Sequence, residues 1–326
     1  MILIAGGAGY IGSHTNKLLS RRGLPTVVFD NLSLGHREFA RWGEFFFGDL
    51  GEKNRIRDCF RKFPIRAVMH FSALAYVGES MTQPARYYHN NVLNTIRLLE
   101  VMREFGVSRF IFSSSCSVYG LPTESPITED HPRRPISPYG RTKLMVEQIL
   151  EDFDTAYGMK YISLRYFNAA GADPDGEIGE WHDPETHLIP LAIQAALGLR
   201  PAVPVFGTDY PTKDGTCIRD YIHVNDLAGA HIRALDYLMS AGRSDVFNLG
   251  NGDGYSVRDI LRAVEDVGGR PPKVMAADRR PGDPPVLISQ SEKAHRLLGW
   301  FPDHSDLKTI IETAWAWHSK TLTKGL

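Results

Sequence analysis

The sequence has little of what marks a secreted or nucleic-acid-binding protein. Its 326 residues include only three cysteines, and Cys59, Cys116 and Cys217 lie far apart, without the close spacing of a metal site. Such a sparse and odd set is typical of a reducing compartment, and we expect a cytoplasmic protein. The formal net charge is −1 and there is no strongly basic run, which argues against nucleic acid or a membrane surface as the main partner.

The apolar start of the chain is too short to span a membrane. The stretch MILIAGGAGYIG falls short of the ~20 apolar residues that a spanning helix needs, and it lacks the basic start of a signal peptide. We therefore interpret it as a buried first strand. Apolar residues make up 43% of the chain and charged residues 23%, as in an ordinary globular protein, and the length suits two lobes.

Short apolar strands alternate with helical patterns through the first half of the chain. The predicted strands here are Ile2–Ala5, Thr26–Asp30, Phe45–Asp49, Ala67–Phe71, Phe110–Ser113 and Tyr161–Leu164. Apolar residues at helical spacing predict helices from Tyr87 to Phe105 and from about Tyr139 to Phe153. Continuous apolar strands separated by helices are typical of a parallel sheet covered on both faces. We therefore predict a doubly wound α/β fold of the Rossmann type over residues 1–173.

The composition changes in the second half of the chain. Residues 173–185 are rich in glycine, proline and acids, which predicts a long loop. We expect residues 174–326 to form mainly a second, smaller lobe of mixed α/β structure, with segment 222–250 returning to the first domain. The later predicted elements are a helix Val224–Met239, a strand Val246–Leu249 and an amphipathic closing helix Leu307–Lys320.

A glycine-rich turn follows the first strand. In GGAGYIG the glycines are Gly6, Gly9 and Gly12. Glycine permits the backbone angles of a tight turn and lets the backbone approach a pyrophosphate, and the following helix offers free N–H groups to the anion. Glycines alone are a weak signal, but a strand before them and a helix after them favour a nucleotide site.

Acidic residues at the ends of the next two strands extend this interpretation. Asp30 ends the second strand, where a carboxylate accepts hydrogen bonds from ribose hydroxyls and repels an added phosphate. It therefore favours NAD over NADP. Asp49 closes the third strand, and it either faces adenine or serves a turn.

The stretch SPYGRTK places a tyrosine four residues before a lysine. Residues four apart share a helix face, so Tyr139 and Lys143 would lie side by side. An adjacent cation favours the phenolate over the phenol, whose unperturbed pKa is ~10, and a phenolate can act as a general base. The lysine could also hold ribose hydroxyls. The run Ser113–Ser115 ends the fifth strand, where parallel sheets place ligands; one serine could bind the reacting hydroxyl, and the other two suit a polar strand end.

With these motifs, the sequence resembles the extended short-chain dehydrogenase/reductases, and among them the UDP-glucose 4-epimerases. The similarity covers nearly the whole chain, and FGTDYPTKDGTCIRDYIHV is its most specific stretch. The other stretches are GGAGYIGSH, VVFDNLS, HFSALAYVGES, NNVLNT, FSSSCSVYG, SPYGRTKLMVEQIL, LRYFNAAGA and RRPGD. The resemblance implies an isomerase that interconverts UDP-glucose and UDP-galactose by oxidation at C4 with bound NAD, rotation of the 4-keto sugar and re-reduction.

The resemblance also implies roles for individual residues, and it implies no metal. Tyr139 would be the proton-shuttling base, Lys143 its cationic partner and Ser115 a hydrogen-bond partner of the sugar hydroxyl. Cofactor-binding positions would be Gly6, Gly9, Tyr10, Ile11, Gly12, Asp30, Asn31, Asp49, Leu50, Phe71, Asn90, Tyr139, Lys143 and Phe167. UDP-sugar-binding positions would be Ser115, Asn168, Leu188, Phe206, Arg219, Arg280, Asp283 and Leu287. Guanidinium groups suit this site because they bind diphosphates bidentately.

Two positions depart from the family pattern. Ala75 stands where some members have a lysine, so a phosphate contact is in question there. Leu287 stands where a tyrosine excludes the acetamido group of N-acetylated sugars and a smaller residue admits it. A 4-epimerase of UDP-N-acetylglucosamine or of a UDP-pentose therefore remains an alternative.

Two more distant alternatives are less well supported. A nucleotide-sugar dehydratase needs carboxylates just after the last serine of the run, where this chain has Cys116 and Ser117. An inactive NAD-sensing regulator usually lacks the tyrosine–lysine pair. The family pattern further implies a homodimer through a four-helix contact made by Tyr87–Phe105 and Tyr139–Asp154.

Overall fold

The computed structural model describes residues 1–280 and 282–322. Its strands are β1 Ile2–Ala5, β2 Thr26–Asp30, β3 Glu44–Phe47, β4 Ala67–His70, β5 Arg109–Ser115, β6 Lys160–Tyr166, β7 Asn168–Ala170, β8 Val203–Phe206, β9 Ile218–His223, β10 Asp245–Leu249, β11 Gly254–Ser256, β12 Val274–Ala277 and β13 Val286–Leu287. Its α-helices are α1 Tyr10–Arg21, α2 Lys53–Lys62, α3 Val77–Thr82, α4 Pro84–Tyr87, α5 Asn94–Glu104, α6 Pro138–Tyr157, α7 Leu188–Ala196, α8 Val224–Ala241, α9 Val257–Gly268, α10 Glu292–Leu298 and α11 Leu307–Leu322. None of the helices in these ranges is long and apolar enough to cross a membrane.

A seven-stranded sheet forms the centre of the molecule. Its strand order is β10-β6-β5-β4-β1-β2-β3, and all neighbours in it are parallel. The chain builds outward from β1 in one direction and then from β4 in the other, so the strand order reverses between these two strands. Ligands bind at such a switch point, beyond the carboxyl ends of the strands. The predicted doubly wound α/β fold is confirmed.

Each face of this sheet is covered by its own apolar core. On one face, Leu98, Met102 and Leu150 of helices α5 and α6 belong to a buried cluster. On the other face, Leu19 of α1 and Leu235 of α8 belong to a second cluster. Burying one such side chain contributes roughly 1.5–3 kcal/mol, which explains why continuous apolar strands were so informative in the sequence.

Several predicted strand bounds differ from the structure by one or more residues, and two of these differences concern the site. The third strand ends at Phe47, so Asp49 lies in the turn beyond it. The fifth strand is longer than predicted, because its pairing with β6 continues until Ser115 lies opposite Tyr166. The serine run is therefore part of the strand, and its successive side chains point to opposite faces of the sheet.

The helix predicted from Tyr87 to Phe105 also differs from a regular α-helix. It consists of α4, a π-helical segment Tyr88–Leu93 and α5. Within the π-helical turn, the Asn91 side chain holds both backbone groups of Leu74, accepting from its N–H at 2.9 Å and donating to its carbonyl at 3.0 Å. Single π-helical turns are frequent at functional sites, and this one fixes the loop that follows β4.

The second half of the chain forms smaller sheets beside the first. Strands β7, β9, β11 and β13 make a four-stranded sheet, and β8 pairs with β12. Helices α7, α9 and α11 contribute to one apolar cluster. Strand β10 extends the large sheet and α8 packs against α1, while a domain boundary at residue 173 stays a prediction.

The predicted loop connects β7 to α7. Lys17 of α1 fixes its first part, because the ammonium contacts Asp173, Asp175 and Glu177 at 2.6–2.7 Å. Trp317 of α11 fixes its second part by donating from Nε1 to the Glu180 carbonyl at 3.0 Å. The loop is thus held between both halves of the chain.

Candidate active site

The glycine turn between β1 and α1 leaves no room for side chains. A Cβ at Gly6 would lie 2.6 Å from the Ser72 nitrogen, and one at Gly12 would lie 2.4 Å from the Gly6 carbonyl oxygen. Gly6 also has a φ of 79°, which favours glycine. Helix α1 begins after Gly9 with no side-chain cap, so its first N–H groups are free for an anion. The turn fits a pyrophosphate.

Asp30 lies beside this turn and is buried. Its carboxylate accepts hydrogen bonds from the N–H groups of Ala8 at 3.0 Å and Leu32 at 2.8 Å. Burial raises the pKa of Asp30, although these backbone donors oppose the shift. The carboxylate therefore also fixes the glycine turn, at the position where a ribose is expected.

The adjoining pair Asn31 and Asp49 forms a second polar group at the same edge. Asn31 Nδ2 donates to Asp49 Oδ2 at 2.6 Å, and the Gly51 N–H donates to Asp49 Oδ1 at 2.6 Å. Asp49 thus has a turn-stabilising role, and its contact with adenine stays a prediction.

Helix α6 places Tyr139 next to the end of β5. Ser137 caps the helix by accepting from the Gly140 N–H at 3.1 Å, and Pro138 occupies its first position. A Cβ at Gly140 would lie 2.5 Å from the Ser117 carbonyl oxygen, so glycine allows the helix to approach the strand closely. As a result the Tyr139 phenol lies beside the Ser115 hydroxyl, which acts to lower the pKa of the phenol.

Lys143 shares a helix face with Tyr139 but is anchored to the sheet. Its Nζ donates to the Ser113 carbonyl at 2.7 Å and lies 5.7 Å from the Tyr139 ring centroid. Burial lowers the pKa of Lys143 to about 7. Burial raises the pKa of Tyr139 to about 12, although the neighbouring Ser115 hydroxyl opposes this. The expected lowering of the phenol pKa is not found in the chain alone, because desolvation outweighs the polar neighbours.

The three serines of β5 have three different environments. Ser113 Oγ lies 3.1 Å from His231 Nε2, and Ser114 Oγ donates to Glu147 at 2.6 Å. Ser115 lies beside Tyr139, and its Oγ also donates to Ser117 Oγ and accepts from the Ser117 N–H, both at 3.2 Å. Of the three serines, Ser115 is therefore the candidate for substrate binding because of its position next to Tyr139.

The remaining cofactor candidates surround the same edge of the sheet. The Tyr10 hydroxyl donates to the Gly171 carbonyl at 2.6 Å, and the Phe71 ring lies 4.7 Å from that of His231. Asn90 donates to Asn91 in the π-helical turn. Three further candidates are buried or half-buried in apolar surroundings: Ile11, Leu50 and Phe167.

The substrate candidates lie on the smaller sheets and their loops. Arg219 of β9 forms an ion pair with Asp283, and the Arg280 guanidinium lies 3.9 Å from the Phe206 ring centroid. Leu287 of β13 is opposite Arg219 in the sheet.

The other two substrate candidates are tied to the same region. Asn168 Nδ2 donates to the Asp220 carbonyl at 2.8 Å, and half-buried Leu188 is the first residue of α7. Leu287 also packs against the cluster of Phe167 and Tyr119. These contacts are local, and a shared role of these residues in binding substrate stays a prediction.

A buried polar network behind the serine run was missed in the sequence. Glu147 of α6 accepts from Arg165 of β6 at 2.6 and 2.9 Å, and Arg165 donates to the Tyr119 hydroxyl at 2.9 Å. That hydroxyl donates to Asn248 of β10 at 2.6 Å. The available signal was a glutamate four residues after Lys143 on the same helix face, which is a weak one.

Comparisons with known proteins agree with this geometry. Residues 2–250 match the model of the "NAD dependent epimerase/dehydratase family". The UDP-glucose 4-epimerase of Rhizobium meliloti (strain 1021) is 52% identical over 319 residues, covering 98% of this chain and 97% of the relative. The crystal structure of UDP-glucose 4-epimerase from Brucella ovis in complex with NAD is 51% identical with a TM-score of 0.94, covering 96% and 97% of the two chains. The UDP-Glc/GlcNAc 4-epimerase from Campylobacter jejuni is 44% identical with a TM-score of 0.86, covering 98% and 99%.

Proposed function

The chain belongs to the NAD dependent epimerase/dehydratase family, and we propose that Tyr139, Ser115 and Lys143 carry out its reaction. That reaction is the NAD-dependent interconversion of UDP-glucose and UDP-galactose. The observation that carries the assignment of residues is the placement of the Tyr139 phenol beside Ser115, whose hydroxyl acts to lower the pKa of the phenol, at the carboxyl end of β5. NAD held by the glycine turn and Asp30 would supply reversible hydride transfer at C4 of the sugar, so no cofactor would be consumed.

The cofactor's site is made by the first β-α-β unit. The glycine turn and the first N–H groups of α1 bind the pyrophosphate, and Asp30 binds the ribose. Because Asp30 is itself held by two backbone N–H groups, its carboxylate is fixed before the ligand arrives. This rigidity suits a cofactor that stays bound through many turnovers.

Tyr139 exchanges the proton of the C4 hydroxyl. With a pKa of about 12 in the chain alone, the phenol is protonated at neutral pH. A cation next to it favours the phenolate, so the phenol becomes a base when the positively charged nicotinamide is in place. Ser115 then holds the sugar hydroxyl, and Lys143, fixed to Ser113, orients the ribose.

The nucleotide part of the substrate binds to the second half of the chain. Arg219 and Arg280 bind the diphosphate with bidentate hydrogen bonds. The ion pair of Arg219 with Asp283 breaks when the diphosphate binds. Binding energy concentrated on UDP leaves the sugar itself free to rotate before hydride returns.

A dehydratase reaction is not supported by the residues after Ser115. Elimination past the ketone needs an acid and a base, but Cys116 and Ser117 occupy those positions. Burial raises the pKa of the Cys116 thiol to about 12, so it is a neutral thiol. The site therefore favours oxidation and reduction at C4 alone.

A homodimer through helices α5 and α6 is part of the proposal. In the single chain, four large apolar side chains on and beside these helices are exposed: Leu93, Phe105, Met145 and Tyr157. Such exposure is expected of a surface that a second subunit covers. We also place the enzyme in the cytoplasm, where its three free cysteines stay reduced. Light scattering of the purified protein tests the dimer, for which a monomer at micromolar concentration would be the contrary result.

Cofactor content and activity test the function together. We expect NAD in the supernatant of the denatured protein, and conversion of UDP-galactose to UDP-glucose without any added reductant. Finding only NADP would contradict the role of Asp30. A requirement for stoichiometric reductant would contradict the closed redox cycle.

A further inference from the structure

A buried ion pair lies behind the serine run of β5. The side chains of Glu147 on α6 and Arg165 on β6 are 1% and 3% exposed. The Glu147 carboxylate accepts from Arg165 Nε at 2.9 Å and from Nη2 at 2.6 Å, which is a bidentate arrangement. Apolar residues of similar volume often stabilise a fold as well as such a pair does. The pair therefore calls for an explanation other than stability.

The carboxylate has a third partner, which belongs to the candidate active site. Ser114 Oγ donates to Glu147 Oε1 at 2.6 Å. Ser114 directly precedes Ser115, whose hydroxyl lies beside the Tyr139 phenol. The hydrogen bond to Glu147 thus fixes the strand one residue before the proposed contact with the sugar.

The same ion pair holds the chain on the other side of Ser115. Arg165 Nη1 donates to the hydroxyl of Tyr119 at 2.9 Å, and Tyr119 is fully buried. Tyr119 directly follows the 3₁₀ turn Cys116–Val118, which Ser115 caps with its hydroxyl. Ser115 is therefore held between Ser114 and Tyr119, and both of these residues bind the ion pair.

Helix α6 carries Glu147 on the same face as the proposed reacting groups. Tyr139, Lys143 and Glu147 follow one another at intervals of four residues, which places them on one side of the helix. Lys143 Nζ donates to the Ser113 carbonyl at 2.7 Å, and Glu147 binds the side chain of the next residue, Ser114. Two consecutive residues of β5 are thus bound to one face of α6, so the strand cannot shift along the helix without breaking both contacts.

We propose that Glu147 is a positioning residue of the epimerisation. By holding Ser114, it fixes the carboxyl end of β5 against α6 and so sets the position of the Ser115 hydroxyl relative to the Tyr139 phenol. Reacting groups must be placed accurately, since a displacement of ~1 Å can cost ~10²-fold in rate. The role rests on the proposed function, because it requires that Ser115 and Tyr139 carry out the reaction.

Removing the Ser114 hydroxyl tests this role while the ion pair stays intact. We expect Ser114→Ala to lower kcat with UDP-galactose roughly 10- to 100-fold, whereas KM and the NAD content per chain stay near native. A merely structural role would instead lower the melting temperature and the NAD content, and would leave kcat per bound NAD unchanged. A near-native kcat in the Ser114→Ala protein would overturn the proposal.

The matched control is Ser163→Ala. Ser163 of the neighbouring strand β6 is as buried as Ser114, but its Oγ has no hydrogen-bond partner within the described residues. The Ser163→Ala protein should therefore epimerise normally. An equal loss of kcat in the two variants would contradict a specific role for the contact between Ser114 and Glu147.

A second variant tests Glu147 itself. Glu147→Gln leaves the Arg165 charge unpaired, which is strongly destabilising in a protein interior, so both residues are replaced together in Glu147→Met/Arg165→Met. This double variant should lose at least as much kcat as Ser114→Ala. Adding Ser114→Ala to it should lower kcat no further, because changes that remove one shared contact are not additive. Losses that multiply would show that Ser114 and Glu147 act separately, and if the double variant does not fold, Ser114→Ala and its control decide.

The Tyr139→Phe variant separates a failure of this inference from a failure of the proposed function. If Tyr139→Phe is inactive and Ser114→Ala has a native kcat, only the positioning role of Glu147 is wrong. If Tyr139→Phe epimerises at a near-native rate, the assignment of the reacting residues is wrong, and the positioning role is wrong with it.

Discussion

The cofactor side and the substrate side of the site are built differently. On the cofactor side Asp30, Tyr139 and Lys143 are 8%, 8% and 3% exposed, and Asp30 and Lys143 are bound to the protein's own backbone. On the substrate side, the side chains of Arg219 and Asp283 are 12% and 25% exposed and form an ion pair with each other. In the proposed function, the first arrangement is already assembled, whereas Arg219 would have to exchange Asp283 for a ligand.

This difference matches what each ligand has to do. A cofactor that is regenerated in every cycle can stay in a rigid site, while a UDP-sugar must enter and leave each time. An arginine paired with an aspartate keeps its charge solvated and aligned until a diphosphate replaces the carboxylate. Changes on the cofactor side should therefore alter the chemical step, and changes on the substrate side should alter binding.

The largest effect is expected from Tyr139→Phe. The variant keeps the ring but removes the proposed base, so kcat should fall ~10²–10⁴-fold, the usual contribution of a general acid–base group, while NAD remains bound. Tyr157→Phe, at the exposed end of the same helix, should epimerise normally. A Tyr139→Phe protein with near-native kcat would show that the phenol is structural.

A smaller effect, on binding, is expected from Arg280→Ala. Hydrogen bonds to charged groups contribute ~1.5–3 kcal/mol, so kcat/KM should fall roughly 10–100-fold, mainly through KM, with NAD content unchanged. Its neighbour Arg279 contacts Asp209 on the surface and makes a matched control as Arg279→Ala. If kcat/KM fell equally in the two variants, or if Arg280→Ala protein lost its NAD, Arg280 would not act specifically in substrate binding.

Variants of Leu287 test which sugars the substrate side accepts. We expect UDP-glucose and UDP-galactose to be better substrates than the acetamido sugars. Leu287→Ser should raise the relative kcat/KM for UDP-N-acetylglucosamine, and Leu287→Tyr should lower it. Pocket shape discriminates small differences by ~1–3 kcal/mol, so the change is measurable and incomplete. An unchanged ratio across serine, leucine and tyrosine would mean that residue 287 does not limit the pocket.

The smallest effect concerns the free energy of unfolding, which the burial of the Lys143 ammonium on the cofactor side lowers. Burial lowers the pKa of Lys143 to about 7, from 10.5. Below pH 7 the folded chain therefore carries the full cost of a buried charge, and stability rises between pH 7 and 10.5 as the folded state loses a proton that the unfolded state retains. NAD-free Lys143→Met protein should thus melt above the native protein at pH 6, by a margin that narrows at pH 9. A margin that is constant with pH would show that the ammonium is not strained by burial.

The strands and helices that carry the proposed cofactor residues were predicted better than those that carry the proposed substrate residues, for physical reasons. Apolar strands and a glycine turn are local signals, so β1, β2 and the start of α6 could be located from short stretches. The pairing of Arg219 with Asp283 joins residues far apart in the chain and leaves no periodic pattern. The ion pair of Glu147 and Arg165 also leaves no periodic pattern, because Glu147 lies on helix α6 and Arg165 lies on strand β6.

The loop between β7 and α7 also contains a Glu/His cluster, made of Glu180, His182, Glu185 and His187, which was missed for a different reason. Its stretch is short, polar and rich in turn-forming residues, so it predicted a loop and nothing more. Its side chains converge only because Trp317 and the rings of Tyr10 and Tyr76 hold the loop from outside. Convergence of this kind depends on tertiary contacts, which one sequence does not display.

The closed redox cycle at C4 is tested most directly with UDP-galactose that carries deuterium at C4. The protein, with its own bound NAD and in ordinary water, converts this substrate, and the UDP-glucose product is analysed by mass spectrometry and NMR. If the hydride leaves C4 and returns to the same carbon, the product retains deuterium at C4. Replacement of the deuterium by solvent hydrogen would contradict the account, because it would mean that inversion proceeds by proton exchange rather than by oxidation and reduction.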